Sequence, residues 1–306
     1  MNPPWVLIDL SYLAYRAMYS VGHLATEDMP TGVMFGCWEQ LRTICNDPRI
    51  RSNKVIIFAD SDISVRKEFF PAYKQKRHDS RTEEEKARIS VMWKQVRKLA
   101  ESTFPAVGLC VAEQDGMESD DLIADAARTM ESLEQPGLII TADADLYQSI
   151  NPYVAWYDPK RMRYFSDESF RRIYGISPKK WALVKAMAGC ASDNVPGLVG
   201  IGEKTSLQYL TGTLKHSSKK YKTIKSEEGR EIVRRNLELV ALPHKKLTHF
   251  QWVIPDYNPD AFWDFCREVG FSSWLRGEEA YKWGAFFSGD FSSGPRIRMR
   301  GAGLFD

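Results

Sequence analysis

The sequence predicts an α/β fold, in which helices flank a mostly parallel sheet, followed by a region made of helices. Three observations lead to this fold class. Four short apolar runs are almost free of polar residues, helical patterns lie between these runs, and helices dominate from about residue 165 to about residue 270. A chain of 306 residues can form one large domain or two modest ones, each with a buried core.

The four apolar runs are predicted to be strands buried on both faces of a parallel sheet, because they are short and rich in β-branched residues. They are WVLI (5–8), VIIFA (55–59), VGLCVA (107–112) and GLIITA (137–142). Helical patterns follow the first strand (SYLAYRAMYSVGHL), precede the third (EEEKARISVMWKQVRKLAES) and follow the third (ESDDLIADAARTMESL). This alternation indicates a wound sheet with right-handed connections.

The second part of the chain is predicted to be helical. The segment SDESFRRIYGISPKKWALVKAMAG forms two helices joined at Gly-Ile-Ser-Pro, and FFSGDFSSGPRIRMRGAGLFD is rich in Gly and Ser, as flexible tails are. We therefore expect an α/β domain over residues 1–180, a helical domain over 181–270 and a flexible tail over 271–306.

Composition limits the setting of the protein. No apolar run reaches the ~18 residues that span a bilayer, and the N-terminus lacks the basic start of a signal peptide. The five cysteines include no CxxC pair, which predicts a reducing, cytoplasmic setting without a zinc site. We expect a monomer that does not contact a membrane.

Charge is distributed unevenly although the formal net charge is only +2. Residues 65–98 carry eleven Lys and Arg against five acids, and residues 215–246 carry ten against four. The rest of the chain is correspondingly acidic. Either basic segment alone could be a solvated face. Two basic segments around an acidic centre better fit a polyanion that is held against metal ions.

Carboxylates follow the predicted strands. The first, second and fourth strands run into an acid, and the third leads to three acids at the start of a helix. These acids are Asp9, Asp60, Glu118, Asp120, Asp121, Asp143 and Asp145, and Asp193 could join them from the helical region. Ligands bind at the carboxyl edge of such sheets, and oxygen ligands without His or Cys favour Mg²⁺ or Mn²⁺. A set this large could hold two ions, although each acid alone could also be a helix N-cap.

Basic and aromatic residues interleave after Asp60. The cations are Arg66, Lys67, Lys74, Lys76, Arg77 and Arg81, and the aromatic residues are Phe69, Phe70 and Tyr73. Cations bind phosphates and aromatic faces stack on bases, although Phe69 and Phe70 are also expected to belong partly to the core. Arg16 lies two helical turns beyond Asp9 and should share its face. The run GLVGIGEKT (197–205) offers backbone N–H groups to a phosphate, or is a plain turn between helices.

Five segments together resemble one family, the structure-specific 5′-nucleases. The segments are LIDLSYLAYRA, FADSDISVRKEFFPAYKQKR, EQDGMESDDLIADAA, TADADLYQS and AGCASDNVPGLVGIGEKTSLQYL. Their order and approximate spacing are similar to those of bacteriophage flap endonucleases and of the 5′-nuclease domain of bacterial DNA polymerase I. The resemblance covers about residues 5–245.

The resemblance implies a PIN-like domain with a helical arch at about residues 72–105, under which a single-stranded 5′ end passes. It also implies a helix–three-turn–helix element around residues 182–210 that binds a duplex, with K⁺ at its turn. The eight acids named above match metal-site acids. Arg16, Lys74 and Arg77 match basic residues near the scissile phosphate, and Gly200, Gly202 and Lys204 match the duplex-binding turn. Tyr73 and Lys67 are further nucleic-acid-binding candidates.

Two positions depart from the family pattern. The family usually has Asp-Lys-Asp where this chain has Asp143-Ala144-Asp145, so that both acids remain. It usually has Gly-Asp-x-x-Asp-Asn where this chain has Gly189-Cys190-Ala191-Ser192-Asp193-Asn194, so that Cys190 replaces an acid of the second metal site. We therefore expect a weaker second site, and a need for more divalent ion or for Mn²⁺.

Three functions remain open at this point. The first is a divalent-metal-dependent 5′-nuclease, a 5′-3′ exonuclease or flap endonuclease that acts on 5′ flaps, nicks, gaps or RNA primers in DNA replication and repair. The second is a structure-specific DNA-binding protein with weakened or lost catalysis, and the third is a PIN-type RNase. The expected partners are branched or nicked duplex DNA and an RNA–DNA hybrid. The tail, through Leu304 and Phe305, could bind a sliding clamp or be simply disordered.

Overall fold

The computed structural model describes residues 3–52, 54–247 and 255–288. Its strands are β1 (Trp5–Asp9), β2 (Ala25–Thr26), β3 (Met29–Pro30), β4 (Val55–Phe58), β5 (Cys110–Ala112), β6 (Gly137–Ile140), β7 (Val154–Asp158), β8 (Arg163–Phe165), β9 (Gly189–Cys190) and β10 (Val195–Pro196).

The α-helices are α1 (Leu10–Ser20), α2 (Gly32–Asn46), α3 (Val65–Phe69), α4 (Gln75–Asp79), α5 (Glu83–Lys98), α6 (Phe104–Ala106), α7 (Ser119–Ser132), α8 (Asp167–Tyr174), α9 (Trp181–Ala188), α10 (Glu203–Leu210), α11 (Lys219–Lys225), α12 (Glu227–Val240), α13 (Asp260–Glu268) and α14 (Gly277–Ser288). A π-helical turn (Leu99–Thr103) extends α5, and 3₁₀ turns cover Asp145–Ser149, Pro178–Lys180 and Ala191–Asp193.

The four predicted strands are confirmed as β1, β4, β5 and β6, and β5 is the one most shortened. Fully buried side chains along β1, β4 and β6 explain why these strands appear in the sequence as unbroken apolar runs. The predicted helices after the first strand, before the third strand and after it are confirmed as α1, α5 and α7. The sequence did not predict β7 and β8.

The chain forms two compact units, and both are discontinuous in sequence. The first contains the described residues of Met1–Asp60, Thr82–Gln114 and His249–Asp306, and the second contains those of Ser61–Arg81 and Asp115–Thr248. The border predicted at residue 180 lies inside the second unit. The α/β residues 115–180 and the helical residues that follow them therefore belong together.

The first unit has a parallel three-stranded arrangement, in which β4 pairs with both β1 and β5. Helices α1 and α2 pack closely because Gly36 faces Ala17, where a β-carbon would come within 2.6 Å of the alanine methyl group. The Gln95 side-chain oxygen accepts hydrogen bonds from the backbone N–H groups of Val33 and Met34 at 3.0 and 3.1 Å. Gln95 therefore satisfies the open start of α2.

Aromatic side chains fill much of the first unit's core. The ring of Trp38 contacts the rings of Phe104, Phe262 and Trp283 at centroid distances of 4.9–6.0 Å. Trp283 lies on α14 and is fully buried. The flexible tail predicted over 271–306 is therefore corrected up to residue 288, where a packed helix ends. Residues 289–306, which include the predicted clamp-binding residues Leu304 and Phe305, lie outside the described residues.

The second unit combines a parallel pair, β6 and β7, with an antiparallel strand, β8, on the other side of β7. Tyr147, Phe170 and Trp181 pack against one another beside this sheet, at ring-centroid distances of 5.3–5.7 Å. The predicted pair of helices joined at Gly-Ile-Ser-Pro is confirmed as α8 and α9, because Gly175 ends α8 in the left-handed conformation.

Among residues 3–52, 54–247 and 255–288, none of the helices combines the length and the apolar character that crossing a bilayer requires.

Candidate metal and nucleic-acid site

Asp9 and Asp60 lie at neighbouring strand ends in the first unit. Asp9 is the last residue of β1, and it pairs in register with Phe58, two residues before Asp60. Both carboxylates therefore leave the sheet at the same edge. Asp9 also caps α1 by accepting the Tyr12 backbone N–H at 3.2 Å, and the Ser11 hydroxyl donates to Asp60 Oδ2 at 2.5 Å. The capping role that the sequence left open is real for Asp9.

Arg16 lies on α1, seven residues beyond its N-cap, Asp9. Its guanidinium group stands over the Tyr12 ring at 5.3 Å, and its Nη1 is 3.3 Å from the Tyr12 hydroxyl oxygen. The contact of Asp9 with the Tyr12 backbone lies at the end of the helix. That Arg16 and Asp9 share a face therefore stays a prediction.

Asp121 is held in the interior of the second unit by Arg66. Two guanidinium N–H groups donate to its carboxylate at 2.6 and 2.7 Å, and Arg66 Nε donates to the Leu239 carbonyl at 2.8 Å. The backbone N–H groups of His244 and Glu118 also donate to Asp121, at 2.7 and 3.3 Å. Asp121 is completely buried. Its oxygens are saturated by protein donors, so its position differs from that of an open metal ligand.

Glu118, three residues earlier, connects this buried pair with the more exposed side of the site. Its Oε1 lies 2.9 Å from Lys74 Nζ, and its Oε2 accepts the Tyr73 hydroxyl at 3.1 Å. Arg66 Nη1 is 3.5 Å from the same Oε2. Burial raises the pKa of Glu118, but the charges of Lys74 and Arg66 outweigh it, and the pKa lies below its ordinary value. Glu118 is therefore an ionised carboxylate whose Oε1 oxygen contacts Lys74.

Tyr73 corrects the prediction of a base-stacking side chain. It is 4% exposed and packs in an apolar cluster with Ala186, Leu239 and Val240. The ring is not available to stack on a base in this arrangement, and its hydroxyl group orients Glu118 instead. Phe70 packs against the same cluster whereas Phe69 is exposed, which agrees with the prediction that this pair is partly core.

Asp143 and Asp145 follow β6 and differ in their surroundings. Asp143 is exposed, and its Oδ1 accepts the Asp145 backbone N–H at 2.7 Å. Asp145 Oδ1 lies 2.9 Å from the ammonium group of Lys185. Burial and the neighbouring Asp143 raise the pKa of Asp145 to about 6, although Lys185 opposes the shift.

Asp193 ends a 3₁₀ turn beside Cys190, and Arg77 reaches it from α4. Arg77 Nη2 is 2.5 Å from Asp193 Oδ1, and Arg77 Nε donates to the Ser192 carbonyl at 3.2 Å. The Cys190 thiol is 3.4 Å from Asp193 Oδ2 and 3.1 Å from the Ser192 hydroxyl. Burial and the carboxylates of Asp193 and Asp145 raise the pKa of Cys190 to about 11. The thiol is therefore neutral at pH 7.

Three of these side chains form a cluster of potential metal ligands. One ligand atom each of Asp145, Cys190 and Asp193 lies within 4.8 Å of the others. Its composition, two carboxylates and a neutral thiol with a lysine and an arginine already in contact, does not fit Mg²⁺, which prefers oxygen ligands. The other predicted metal-site acids offer carboxylate oxygen alone, the donor type that a hard divalent ion prefers. They are Asp9 and Asp60 in the first unit, and Glu118, Asp120 and Asp143 in the second.

The glycine turn between α9 and α10 is anchored by apolar residues and open at its tip. Leu198 and Ile201 are buried in a cluster with Met187, and the Leu198 N–H donates to the Met187 carbonyl at 2.8 Å. Gly200 has a positive φ of 73°, which favours glycine, and Gly202 immediately precedes α10. Apart from the adjoining residues, no atom of the described part of the chain lies within 4 Å of a β-carbon built on either glycine. The backbone of the turn is therefore accessible.

The other predicted binding residues lie on the surface. Lys204, in the first turn of α10, and Lys67, on α3, are exposed, and Asp120 is half-buried in the first turn of α7. The structure keeps these three side chains in positions that allow contact with a ligand.

Sequence reasoning missed two cations, Arg66 and Lys185, as partners of individual acids. In the sequence, Arg66 stands out only as part of a basic segment, and Lys185 lies outside both basic segments. Their partners, Asp121 and Asp145, are 55 and 40 residues away in the chain. The one available signal for Lys185 is its position on the helix that leads into the Cys190 turn, five residues before the cysteine.

Known proteins are similar to this chain in sequence. Residues 4–175 match the family model of the 5′-3′ exonuclease N-terminal resolvase-like domain. The chain is 31% identical over 236 residues to the thermostable DNA polymerase I of Thermus thermophilus, which covers 76% of this chain and 27% of the polymerase. It is 26% identical over 261 residues to a 5′-3′ exonuclease of Buchnera aphidicola, covering 85% of this chain and 83% of that protein. The chain thus spans about a quarter of the polymerase relative.

Solved structures show the same fold. The T5 5′-exonuclease with bound divalent zinc aligns with a TM-score of 0.64 at 18% identity, covering 93% of this chain and 98% of the other. The flap endonuclease-1 of Methanococcus jannaschii aligns with a TM-score of 0.54 at 16% identity, covering 94% and 93%. The predicted fold class, a mostly parallel sheet flanked by helices in a PIN-like arrangement, is confirmed. On the match over residues 4–175, this chain belongs to the 5′-3′ exonuclease family.

Proposed function

We propose that this chain is a divalent-metal-dependent 5′-nuclease that hydrolyses phosphodiesters at 5′ flaps, nicks, gaps or RNA primers in DNA replication and repair. One observation carries the proposal: in a member of the 5′-3′ exonuclease family, an acid stands at the end of β1 (Asp9), two residues after β4 (Asp60) and three residues after β6 (Asp143). Acids in such positions are suited to hold metal ions against a phosphate.

As ligands of Mg²⁺ or Mn²⁺ we propose Asp9 and Asp60 in the first unit and Glu118, Asp120 and Asp143 in the second, whose donors are all carboxylate oxygens. The ion would supply positive charge to a phosphodiester and to the attacking water. We exclude Asp121 from this set, although its place in the sequence matches a metal-site acid. Its four protein donors support a structural role instead, in which it holds Arg66 and the start of α7.

Lys74, Arg77 and Arg16 are proposed to bind and orient the scissile phosphate. Lys74 Nζ already contacts Glu118, and Arg77 already contacts Asp193, so both cations are held beside carboxylates of the site. A cation fixed in this way stabilises charge that develops on phosphate oxygens without having to reorganise. Lys74 has a positive φ of 57°, a backbone conformation that residues other than glycine rarely adopt. The direction in which its side chain leaves the backbone therefore depends on this local conformation.

The glycine turn is proposed to bind the backbone of a DNA duplex or an RNA–DNA hybrid. Its support is the open backbone at Gly200 and Gly202, the exposed Lys204 that follows, and Val199, which is 94% exposed at the tip. Backbone N–H groups ahead of a helix bind phosphates without reading sequence. K⁺ at this turn is part of the same proposal, and the helices within residues 72–105 are proposed to contact the single-stranded 5′ end.

Cys190 favours a second candidate function. A chain that lacks one metal-site acid could bind branched DNA without cleaving it, as a catalytically weakened accessory protein. Both functions use the same basic residues, so binding measurements alone do not separate them.

The deciding experiment is product mapping on a 5′-labelled flap substrate in Mg²⁺. The proposal expects discrete 5′ products from the wild type and none from Asp9→Ala or Asp143→Ala. The matched control is Asp264→Ala, because Asp264 is an exposed acid that is paired with Arg267 on α13. This variant should cleave the flap as the wild type does. A wild type that binds the flap but leaves it intact would establish the accessory function instead.

A further inference from the structure

We infer that Lys185 and Arg77 supply the charge that a second divalent ion would supply at Asp145 and Asp193, so that this chain holds one divalent ion fewer than it would with an acid at residue 190. The inference rests on the proposed metal-dependent nuclease function. It assigns Lys185 a positioning role that the family resemblance does not provide, and it follows from side-chain contacts in the second unit.

Lys185 is placed for this role by α9. Its ammonium group is 2.9 Å from Asp145 Oδ1 and 3.6 Å from Glu203, and its side chain is only 12% exposed. A lysine this buried is held by its carboxylates rather than by water, and its pKa is raised because the attraction of Asp145 outweighs burial. The positive charge is therefore permanent and lies directly on a carboxylate of the cluster.

Arg77 neutralises the other carboxylate. Its contacts with Asp193 Oδ1 and with the Ser192 carbonyl use two different nitrogens, which fixes the plane of the guanidinium group. The second oxygen of Asp193 faces the Cys190 thiol. Both oxygens of Asp193 are thus engaged by groups of the protein.

The charges of the cluster and of the two cations that contact it balance without an ion, and Glu203, 3.6 Å from Lys185, is 54% exposed, so that water screens its charge. Asp145 and Asp193 each carry one negative charge, Lys185 and Arg77 each carry one positive charge, and a thiol is neutral at pH 7. An acid in place of Cys190 would leave one negative charge uncompensated beside two carboxylates. A divalent ion is therefore favoured with an acid at residue 190 and has no net charge to neutralise with a cysteine there.

Packing supports the same conclusion. Cys190 is buried in an apolar cluster with Ala186, Val195 and Leu239. A neutral thiol can be buried among apolar side chains at little cost in free energy, whereas a charged carboxylate there would need a compensating partner. The cysteine therefore takes the place of an acid, and Lys185 and Arg77 take the place of the metal ion that this acid would help to hold.

The test is a count of bound Mn²⁺ per chain, by electron paramagnetic resonance of the free ion during titration, in the absence of DNA. We compare the wild type with the double variant Cys190→Asp/Lys185→Met, which restores the acid and removes the lysine. The inference expects the double variant to bind one more Mn²⁺ per chain than the wild type. Equal counts in the two proteins would overturn it.

Two further variants keep the result interpretable. Lys179→Met removes a lysine of the same unit that is 70% exposed and paired with Glu131, and its count should equal that of the wild type. Should the double variant fail to fold, Cys190→Asp alone serves in its place: a count above the wild type supports the inference, and a count equal to it contradicts the inference.

Ion counting also separates this inference from the proposed function. The count requires no cleavage, so a wild type that fails to cut the flap would remove the nuclease proposal without changing the number of Mn²⁺ ions bound. Conversely, cleavage by a wild type whose count equals that of the double variant would leave the nuclease proposal standing and remove the role given to Lys185.

Discussion

The second unit contains two aspartate–cation pairs that look alike in composition and differ in their surroundings. In one, Arg66 donates two hydrogen bonds to the buried Asp121 carboxylate, and two backbone N–H groups donate to its oxygens as well. In the other, Lys185 contacts Asp145 at a single oxygen, two residues from the exposed Asp143. The first pair is closed to any ligand, whereas the second borders a cluster of metal-ligating atoms.

The difference shows that an acid in a family motif can have either of two roles. A carboxylate whose acceptor positions are all filled by the protein stabilises the fold, because removing one partner leaves a buried charge. A carboxylate with one cation contact beside other ligands belongs to the chemistry of the site. Glu118 lies between these cases, since it contacts both Arg66 and Lys74.

Replacing Arg66 with methionine should break the closed pair and have the largest effect on stability. Asp121 would be left buried and charged, and we expect the free energy of unfolding to fall by about 3–5 kcal/mol. Urea denaturation followed by circular dichroism measures this. The control is Arg171→Met, because Arg171 forms an exposed pair with Asp167 on α8. A loss no larger than that of the control would contradict a structural role for Arg66.

Lys74→Ala tests the link between the two pairs through activity. It removes a cation from Glu118 and, in the proposed function, from the phosphate, so flap cleavage should fall by roughly 10²–10³-fold. Unfolding should change little because Lys74 is partly exposed. Single-turnover cleavage at saturating enzyme measures the change, with Lys179→Ala, a lysine that is 70% exposed, as control. A cleavage rate within a few-fold of the wild type would remove Lys74 from the phosphate site.

Lys185→Met should have a smaller effect on stability than Arg66→Met, which sharpens the comparison. Asp145 loses its cation but is less buried than Asp121, with 16% of its side chain exposed, and we expect a loss of about 1–3 kcal/mol in metal-free buffer. Thermal denaturation measures the loss, and Lys179→Met is the control. Lys179 forms an exposed ion pair with Glu131, and its removal should cost about 0–1 kcal/mol of stability. If the two lysine variants melt alike, Lys185 does not stabilise Asp145.

The smallest effect concerns the Cys190 thiol, whose pKa is raised to about 11 by burial and by Asp193 and Asp145. At pH 8 its thiolate fraction should be about 10²-fold below that of an ordinary cysteine, so iodoacetamide should alkylate it slowly. Peptide mass spectrometry before and after unfolding in urea compares the two rates. Equal rates in folded and unfolded chains would show that the thiol is open to solvent.

The sequence predicts the strands that lead to the site because their chemistry is local. The runs at β1, β4 and β6 are almost free of polar residues, and each of them leads to an acid within a few residues. Strand β7 was not predicted because VAWYD mixes aliphatic, aromatic and charged residues. Its partner β8 is only three residues long, and two of them are exposed. A hairpin of this kind shows neither the continuous nor the alternating apolar pattern.

Roles of individual acids were harder to predict than their positions. Nothing near Asp121 in the sequence shows that Arg66 saturates it, and nothing near Tyr73 shows that the ring is buried under α12 residues such as Leu239. These contacts join residues far apart in the chain, so they depend on the packed structure. Cys190 was identified as a departure from the family pattern, but the cations that balance its cluster became apparent from the packed side chains.

The most direct measurement is the order of flap cleavage in Mg²⁺, compared between the wild type and Cys190→Asp/Lys185→Met below saturation. In the wild type the logarithm of the cleavage rate should rise with the logarithm of the Mg²⁺ concentration with a slope of about 1, because Lys185 and Arg77 occupy the place of a second ion. The double variant should give a slope approaching about 2. Identical slopes in the two proteins would contradict the assignment.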